Sequence, residues 1–243
     1  PLEGFVFAIT PFNFTSIAGN LPSAPALVGN VALWKPASSA VYPCHFIMQM
    51  LKEAGLPDGV INFIPGSGGK VGDPVLKNEN LAGVHFTGST ETFQHIWKTI
   101  GTKIDQYKTY PRIVGETGGK DFCLAHETAN IDELATAMIR GAFEFQGQKC
   151  SAMSRAYIPE TIWEELKEKY LSELETVTVG SPRDFTNFMN AVIDKPAFDS
   201  ITQYIDYAKN ANEAEIISGG TYNDSEGYYI QPTTILTSDP YFK

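Results

Sequence analysis

The sequence predicts an α/β protein built on a doubly wound parallel sheet, and two observations carry that expectation. Short apolar runs recur at residues 5–9, 31–34, 60–64 and 84–86, each about the length of a buried strand. Between them lie longer stretches with helical spacing. Strands alternating with helices close as right-handed βαβ units, and such units stack into an open sheet covered on both faces.

Each element has a local reason. Over residues 39–54, Cys44, Ile47, Met48 and Leu51 fall on one helical face, and Gly55 stands where a helix stop belongs. Another helix is expected over 90–103. A second α/β segment begins near Gly118-Gly119, which places a domain boundary at residue 118 and divides the chain into 1–118 and 119–243. There Asn130 can cap a helix whose apolar face is Ile131, Leu134, Met138, Ala142 and Phe145. A helix over 161–174 carries Trp163, Leu166, Tyr170 and Leu174 at helical spacing. A third helix is expected over 197–208, before strands near 215–217 and 229–230.

The 243 residues are 43% hydrophobic and 19% charged, a composition ordinary for a soluble protein. No apolar run reaches the roughly 18 residues of a membrane span, so no membrane partner is expected. The net charge of −10 argues against nucleic acid, which needs clustered Lys and Arg. Cys44, Cys123 and Cys150 are odd in number and form no Cys-x-x-Cys pair, so neither a disulfide framework nor a metal site is expected. A reducing compartment fits. The abrupt start at Pro1 and end at Lys243 lead to the expectation of an internal piece of a longer chain.

Several stretches could carry chemistry. The run Gly66–Gly72 reads Gly-x-Gly-x-x-x-Gly, one residue longer than a dinucleotide fingerprint, and serves equally as a plain strand-to-helix turn. In Phe86-Thr87-Gly88-Ser89-Thr90, small residues open a helix, which suits either a phosphate at the free N–H groups or an ordinary Ser/Thr cap. Cys150 follows a helix in the turn Gln146-Gly147-Gln148-Lys149, among polar neighbours, where Lys149 could favour the thiolate; Cys44 and Cys123 sit in apolar patterns and read as core. Glu116 ends a strand among glycines in Gly115-Glu116-Thr117-Gly118-Gly119, and by default is a surface carboxylate. Asn13, in Pro11-Phe12-Asn13-Phe14, offers an amide suited to an oxyanion or to an Asx turn.

In their order, Asn13 in Pro-Phe-Asn-Phe, Lys35 in Trp-Lys-Pro, the 86–90 motif, Glu116 in Glu-Thr-Gly-Gly-Lys and Cys150 in Gly-Gln-Lys-Cys resemble the aldehyde dehydrogenase superfamily, through essentially the whole chain. Phe93 stands where most relatives carry glycine, and Thr117 where many carry leucine. With Phe-Asn-Phe-Thr and Gln-Lys-Cys-Ser-Ala, these departures resemble the Δ1-pyrroline-5-carboxylate (glutamate-γ-semialdehyde) dehydrogenase branch of proline catabolism.

The resemblance implies part of a Rossmann-type NAD-binding domain followed by part of an α/β catalytic domain. It implies Cys150 as nucleophile, Glu116 as general base and Asn13 as oxyanion donor. Lys35 would contact the adenosine ribose, the Gly88-Ser89 turn the pyrophosphate, and the backbone of Thr10, Pro11 and Phe12 the cofactor, with Gly68, Gly72, Thr117 and Gly118 also along it. Ser38 stands where many NAD-preferring relatives carry a ribose-binding glutamate, so NAD is expected with NADP possible. Ser151 and Lys149 would face the substrate carboxylate and Phe14 its aliphatic part. The full-length protein is expected to take a small-molecule aldehyde and to form a homo-oligomer. Its expected location is the mitochondrial matrix in a eukaryote and the cytoplasm otherwise. The alternatives are a general aldehyde dehydrogenase, an acylating enzyme that hands the acyl group to coenzyme A, and a non-catalytic protein retaining the fold.

Overall fold

A computed structural model describes residues 1–242. The chain divides into two compact units, Pro1–Gly118 and Gly119–Lys243.

The first unit holds strands β1 (Phe5–Thr10), β2 (Val31–Pro36), β3 (Ile61–Phe63), β4 (Leu81–Thr87) and β5 (Arg112–Glu116) in one sheet. Its helices are α1 (Thr15–Leu27), α2 (Val41–Glu53), α3 (Asp73–Leu76) and α4 (Thr90–Thr102). The strand order is β3-β2-β1-β4-β5, and every pairing is parallel. From central β1 the chain winds outward through β2 and β3, then crosses to β4 and β5. The topological switch, where open α/β sheets leave a crevice, therefore falls between β1 and β4.

Because β1 is covered on both faces, it has no polar alternation: Val6, Phe7 and Ala8 are all buried. On one face Ala8, Trp34, Cys44 and Met48 pack with Ala18 and Leu21 of α1. On the other, Phe7, Val84 and Phe86 pack with Leu76, Ile96 and Ile100. Burial of each large side chain such as Phe7 or Trp34 contributes about 1.5–3 kcal/mol.

Helix α1 has no counterpart in the sequence expectations, because Pro22 and Pro25 lie inside it. Pro25 has no N–H to give the Leu21 carbonyl one turn back. His85, from β4, replaces that donor: its Nδ1 lies 3.0 Å from the Leu21 carbonyl oxygen. A carbonyl only accepts, so Nδ1 carries the proton. A tertiary contact thus satisfies the group a local rule would leave orphaned.

The second unit carries β6 (Asp121–Leu124), α5 (Ile131–Phe143), β7 (Met153–Tyr157), α6 (Glu160–Leu174), α7 (Lys195–Lys209), β8 (Ala214–Ser218), β9 (Tyr222–Asn223), β10 (Tyr229–Ile230) and β11 (Thr234–Thr237). β6 and β7 pair in parallel, while β8 with β11 and β9 with β10 pair antiparallel. Leu134, Met138, Leu166 and Tyr170 join α5 and α6 in one core. Asn130 caps α5 by accepting from the Glu133 N–H at 3.1 Å, as the sequence predicts. The expected apolar face of this helix, however, runs too far. α5 stops at Phe143, and Phe145 turns left-handed with φ 56°, off the helix altogether. Among the described residues no helix is long and apolar enough to cross a membrane.

Candidate active site

In the first unit the candidate residues gather at the C-terminal ends of the strands. Register sets Thr10 beside Pro36, and Thr87 beside Glu116. Thr10 is committed to the fold: its hydroxyl accepts from Trp34 Nε1 at 2.9 Å, and its carbonyl accepts from the Ala37 N–H at 3.0 Å. The backbone continues past the strand end through Pro11 and Phe12. Asn13 follows, half-buried, and Phe14 caps α1 with its carbonyl accepting from the Ala18 N–H.

Lys35 is only 7% exposed. Its Nζ donates to the Pro36 carbonyl at 3.0 Å, which uses one of three ammonium protons, and burial pushes its pKa down. A desolvated ammonium at the end of β2 favours hydroxyl or phosphate acceptors. Ser38, three residues on, is exposed in a short 3₁₀ turn over Ser38–Ala40.

At the β4–α4 turn, Ser89 is an ordinary N-cap, accepting from the Thr92 N–H at 3.2 Å and donating to the Thr92 hydroxyl at 2.8 Å. Its side chain thus serves as a helix cap, while the positive end of α4 remains beside the switch point. Gly88 is required by packing, since a Cβ there would lie 2.7 Å from the Phe86 ring. Phe93, the residue that replaces glycine in relatives, packs over Gly115: a Cβ on Gly115 would lie 2.2 Å from its ring. Phe86 and Phe93 stack at 5.7 Å.

Gly68 and Gly72 sit in a π-helical turn, Gly68–Gly72, after edge strand β3. A fingerprint turn belongs after the central strand at the switch, whereas this run follows the sheet's edge strand. A Cβ at Gly68, Gly72 or Gly118 would meet nothing within 4 Å.

Glu116 ends β5 and is exposed. It borders a cavity of about 420 Å³ within this unit, together with Ser16, Asn20, Leu21, His85 and Thr87. Its carbonyl accepts from the Gly88 N–H at 3.2 Å, tying the base motif to the β4–α4 turn, and Thr117 and Gly118 follow.

The second unit carries the thiol. Of the three cysteines only Cys150 is exposed; Cys44 is buried, with its thiol pKa pushed up by burial, and Cys123 is partly buried. Cys150 follows a loop in which Phe145, Gln146 and Gly147 are all left-handed, with φ of 56°, 58° and 66°. For the two residues with a Cβ this costs about 1–2 kcal/mol each. The Cys150 carbonyl rests on Gly119, where a Cβ would come within 1.7 Å of its oxygen. Glycine is obligatory there, and the sequence gives no hint of what makes it so.

Lys149, expected to bring positive charge near the thiol and the substrate carboxylate, is paired with a carboxylate. Its Nζ binds Glu144 Oε2 at 2.5 Å, while Arg140 binds Oε1 at 2.6 Å. Lys149 first, and then Arg140, holds the Glu144 carboxyl below its ordinary range. Lys149 therefore braces the loop. Ser151 is exposed beside Cys150. Among the described residues no cluster of His, Cys, Asp and Glu could hold a metal ion.

The parallel sheet with its switch between β1 and β4 is the build of a dinucleotide-binding fold, and the second unit presents an exposed thiol after a left-handed loop. The chain belongs to the aldehyde dehydrogenase family, whose profile matches residues 1–242. It is 51% identical over 245 residues to the mitochondrial Delta-1-pyrroline-5-carboxylate dehydrogenase of Dictyostelium discoideum, covering 100% of this chain and 44% of that protein. With the human mitochondrial enzyme of the same name the identity is 44% over 240 residues, covering 98% and 43%. Among solved structures, the Delta-pyrroline-5-carboxylate dehydrogenase of Mycobacterium tuberculosis bound with NAD superposes with a TM-score of 0.96 at 51% identity, covering 100% of this chain and 45% of that one. The Thermus 1-pyrroline-5-carboxylate dehydrogenase with bound NAD gives 0.90 at 33% identity, covering 96% and 45%. The chain thus spans less than half the length of the curated relatives it matches.

Proposed function

We propose that the complete protein oxidises L-glutamate γ-semialdehyde, the open form of Δ1-pyrroline-5-carboxylate, to L-glutamate with NAD. The observation that carries this reading is 51% identity, over the whole chain, to a protein named for that substrate. In this reading residues 1–118 are the dinucleotide-binding part and 119–243 the thiol-bearing part.

The residues present fit a dinucleotide. The β1/β4 switch, the buried Lys35 ammonium and the positive end of α4 are the donors such a ligand uses. Lys35 would hold the adenosine ribose, the α4 terminus beyond Gly88 and Ser89 the pyrophosphate, and the backbone of Pro11 and Phe12 the neighbouring part. Gly68, Gly72, Thr117 and Gly118 complete the assignment, and Ser38 leaves the ribose 2′ position open to NADP. What a bound nicotinamide supplies is a two-electron acceptor.

The chain's own residues do the rest. Cys150 Sγ, as thiolate, bonds to the aldehyde carbon and gives a thiohemiacetal. The Asn13 amide and the Cys150 N–H stabilise the oxyanion, worth about 3–4 kcal/mol per donor. After two-electron oxidation the acyl group is a thioester on Sγ. Glu116 takes a proton from water, the water oxygen bonds to the acyl carbon, and the C–S bond breaks to return the thiolate. Ser151 would bind the substrate carboxylate and Phe14 its methylenes, with Lys149 acting through the loop it braces.

NADH formation by the complete protein tests the reading, with pyrroline-5-carboxylate, propanal and succinate semialdehyde compared and coenzyme A absent. Strong preference for pyrroline-5-carboxylate is expected. Equal rates with all three would reduce the assignment to a general aldehyde dehydrogenase, and strict dependence on added coenzyme A would favour an acylating enzyme. The same reading places a eukaryotic parent in the mitochondrial matrix, as a homo-oligomer without nucleic-acid partners.

A further inference from the structure

We infer that Gln146 and Gln148 are positioning residues for the nucleophile: their carboxamides pin the left-handed loop ahead of Cys150 to the backbone of residues 190–193. The geometry stands on its own, and its catalytic consequence rests on the reading of Cys150 given above.

Gln146 Oε1 accepts from the Asn190 N–H at 3.2 Å, and its Nε2 donates to the Ala191 carbonyl at 3.3 Å. Gln148 Oε1 accepts from the Ile193 N–H at 2.9 Å, while its Nε2 donates back to the Phe145 carbonyl at 3.4 Å. A carboxamide carries a donor and an acceptor side by side, as a peptide group does, so it can dock on a backbone edge as a strand would. Glutamate offers only the acceptor and lysine only the donor.

The docking edge is itself held. The Met189 N–H donates to the Thr178 carbonyl at 3.0 Å, and Asn190 Nδ2 to the Gly180 carbonyl at 3.0 Å. The Val192 N–H donates to the Tyr228 carbonyl at 2.9 Å, and its side chain is buried with Phe198, Ile205 and Ile230. The glutamines therefore attach the loop to fixed backbone. Left-handed residues with a Cβ persist only where their surroundings over-determine them, and such strain gathers at functional sites. Here it ends on Cys150, whose carbonyl sits in contact with Gly119. Release of the clamp lets Phe145 and Gln146 relax to negative φ and carries Sγ away from its attack position.

The test uses the complete protein and three variants. Gln146→Met and Gln148→Met keep side-chain length and remove the hydrogen bonds, whereas Gln148→Glu keeps the acceptor for the Ile193 N–H. Two readouts are taken: kcat and KM for aldehyde and NAD, and the rate of Cys150 alkylation by iodoacetamide, followed by peptide mass. Buried Cys44 reports unfolding in the same digest. Both Met variants are expected to lose about 100-fold in kcat, the scale of an ångström misplacement, with KM for NAD unchanged. Their Cys150 alkylation should shift severalfold while Cys44 stays unreactive, and Gln148→Glu should recover most of the activity. Met variants within twofold of wild type in kcat and alkylation would overturn the inference. So would loss accompanied by Cys44 alkylation and no recovery in Gln148→Glu, which is the signature of plain destabilisation. Alkylation needs no substrate, so a wild-type protein that oxidises no aldehyde would end the functional reading and leave the positioning test intact.

Discussion

Two turns carry the chemistry proposed for this protein, and they are built on opposite principles. The β4–α4 turn uses cheap local geometry: Ser89 caps a helix in the ordinary way, and the exposed N–H groups follow from the helix itself. The loop from α5 to Cys150 is expensive. It strings three left-handed residues together and depends on Gly119, on the Glu144–Lys149 pair and on backbone 45 residues further along. In the proposed reading a diffuse anion is met by a dipole that tolerates small shifts. A nucleophile must meet one carbon along one direction, and a held, strained loop removes its freedom beforehand.

The comparison breaks most visibly at the thiol. Cys150→Ala should abolish NADH formation, by about 10⁴-fold or more, whereas Cys123→Ala should not; full turnover in Cys150→Ala would end the covalent scheme. Glu116→Gln should slow thioester hydrolysis by about 10²–10⁴-fold while leaving a single-turnover burst of NADH, which rapid-mixing absorbance would resolve. Gly119→Ala sharpens the contrast, because the substitution touches neither substrate nor thiol. Its Cβ must displace the Cys150 carbonyl, so kcat should fall about 100-fold, and a crystal structure should show that carbonyl moved.

On the other turn the same logic predicts small effects. Ser89→Ala should cost about 1 kcal/mol of stability, read as a lower denaturant midpoint, with a modest rise in KM for NAD. Smallest is the acid response of Glu144. Its carboxyl lies below the ordinary range in the folded state, chiefly through Lys149, so its contribution is present above the ordinary glutamate value. That contribution is lost as pH falls through the lowered folded value. The stability difference between wild type and Glu144→Gln should therefore narrow in acid and stay constant around neutrality.

Legibility followed the range of the interactions. Asn130 and Ser89 could be read as caps because a cap bonds within three residues of itself. Cys150 could be separated from Cys44 because polar neighbours mark a turn and apolar ones a core. Helix α1 was hidden, since Pro22 and Pro25 break the local rule and the compensating His85 lies 64 residues from Leu21. Strands β6 and β7 were hidden because neither holds a fully buried residue or shows clean alternation. The Glu144–Lys149 pair closes across a loop that turns left-handed at Phe145, which the helical spacing of the sequence does not show.

By itself, then, the sequence determined what short-range forces decide. It held the alternation of buried strands and amphipathic helices, the caps that start them, and the residue types able to attack, accept a proton or donate to an oxyanion. Tertiary structure alone decided where those residues stand and what restrains them: the switch between β1 and β4, the donor supplied to the Leu21 carbonyl, the Gly119 seat and the glutamine clamp. Each depends on groups brought together from distant parts of the chain. Conformational strain can be stored only where such contacts pin the backbone, and no local pattern records them.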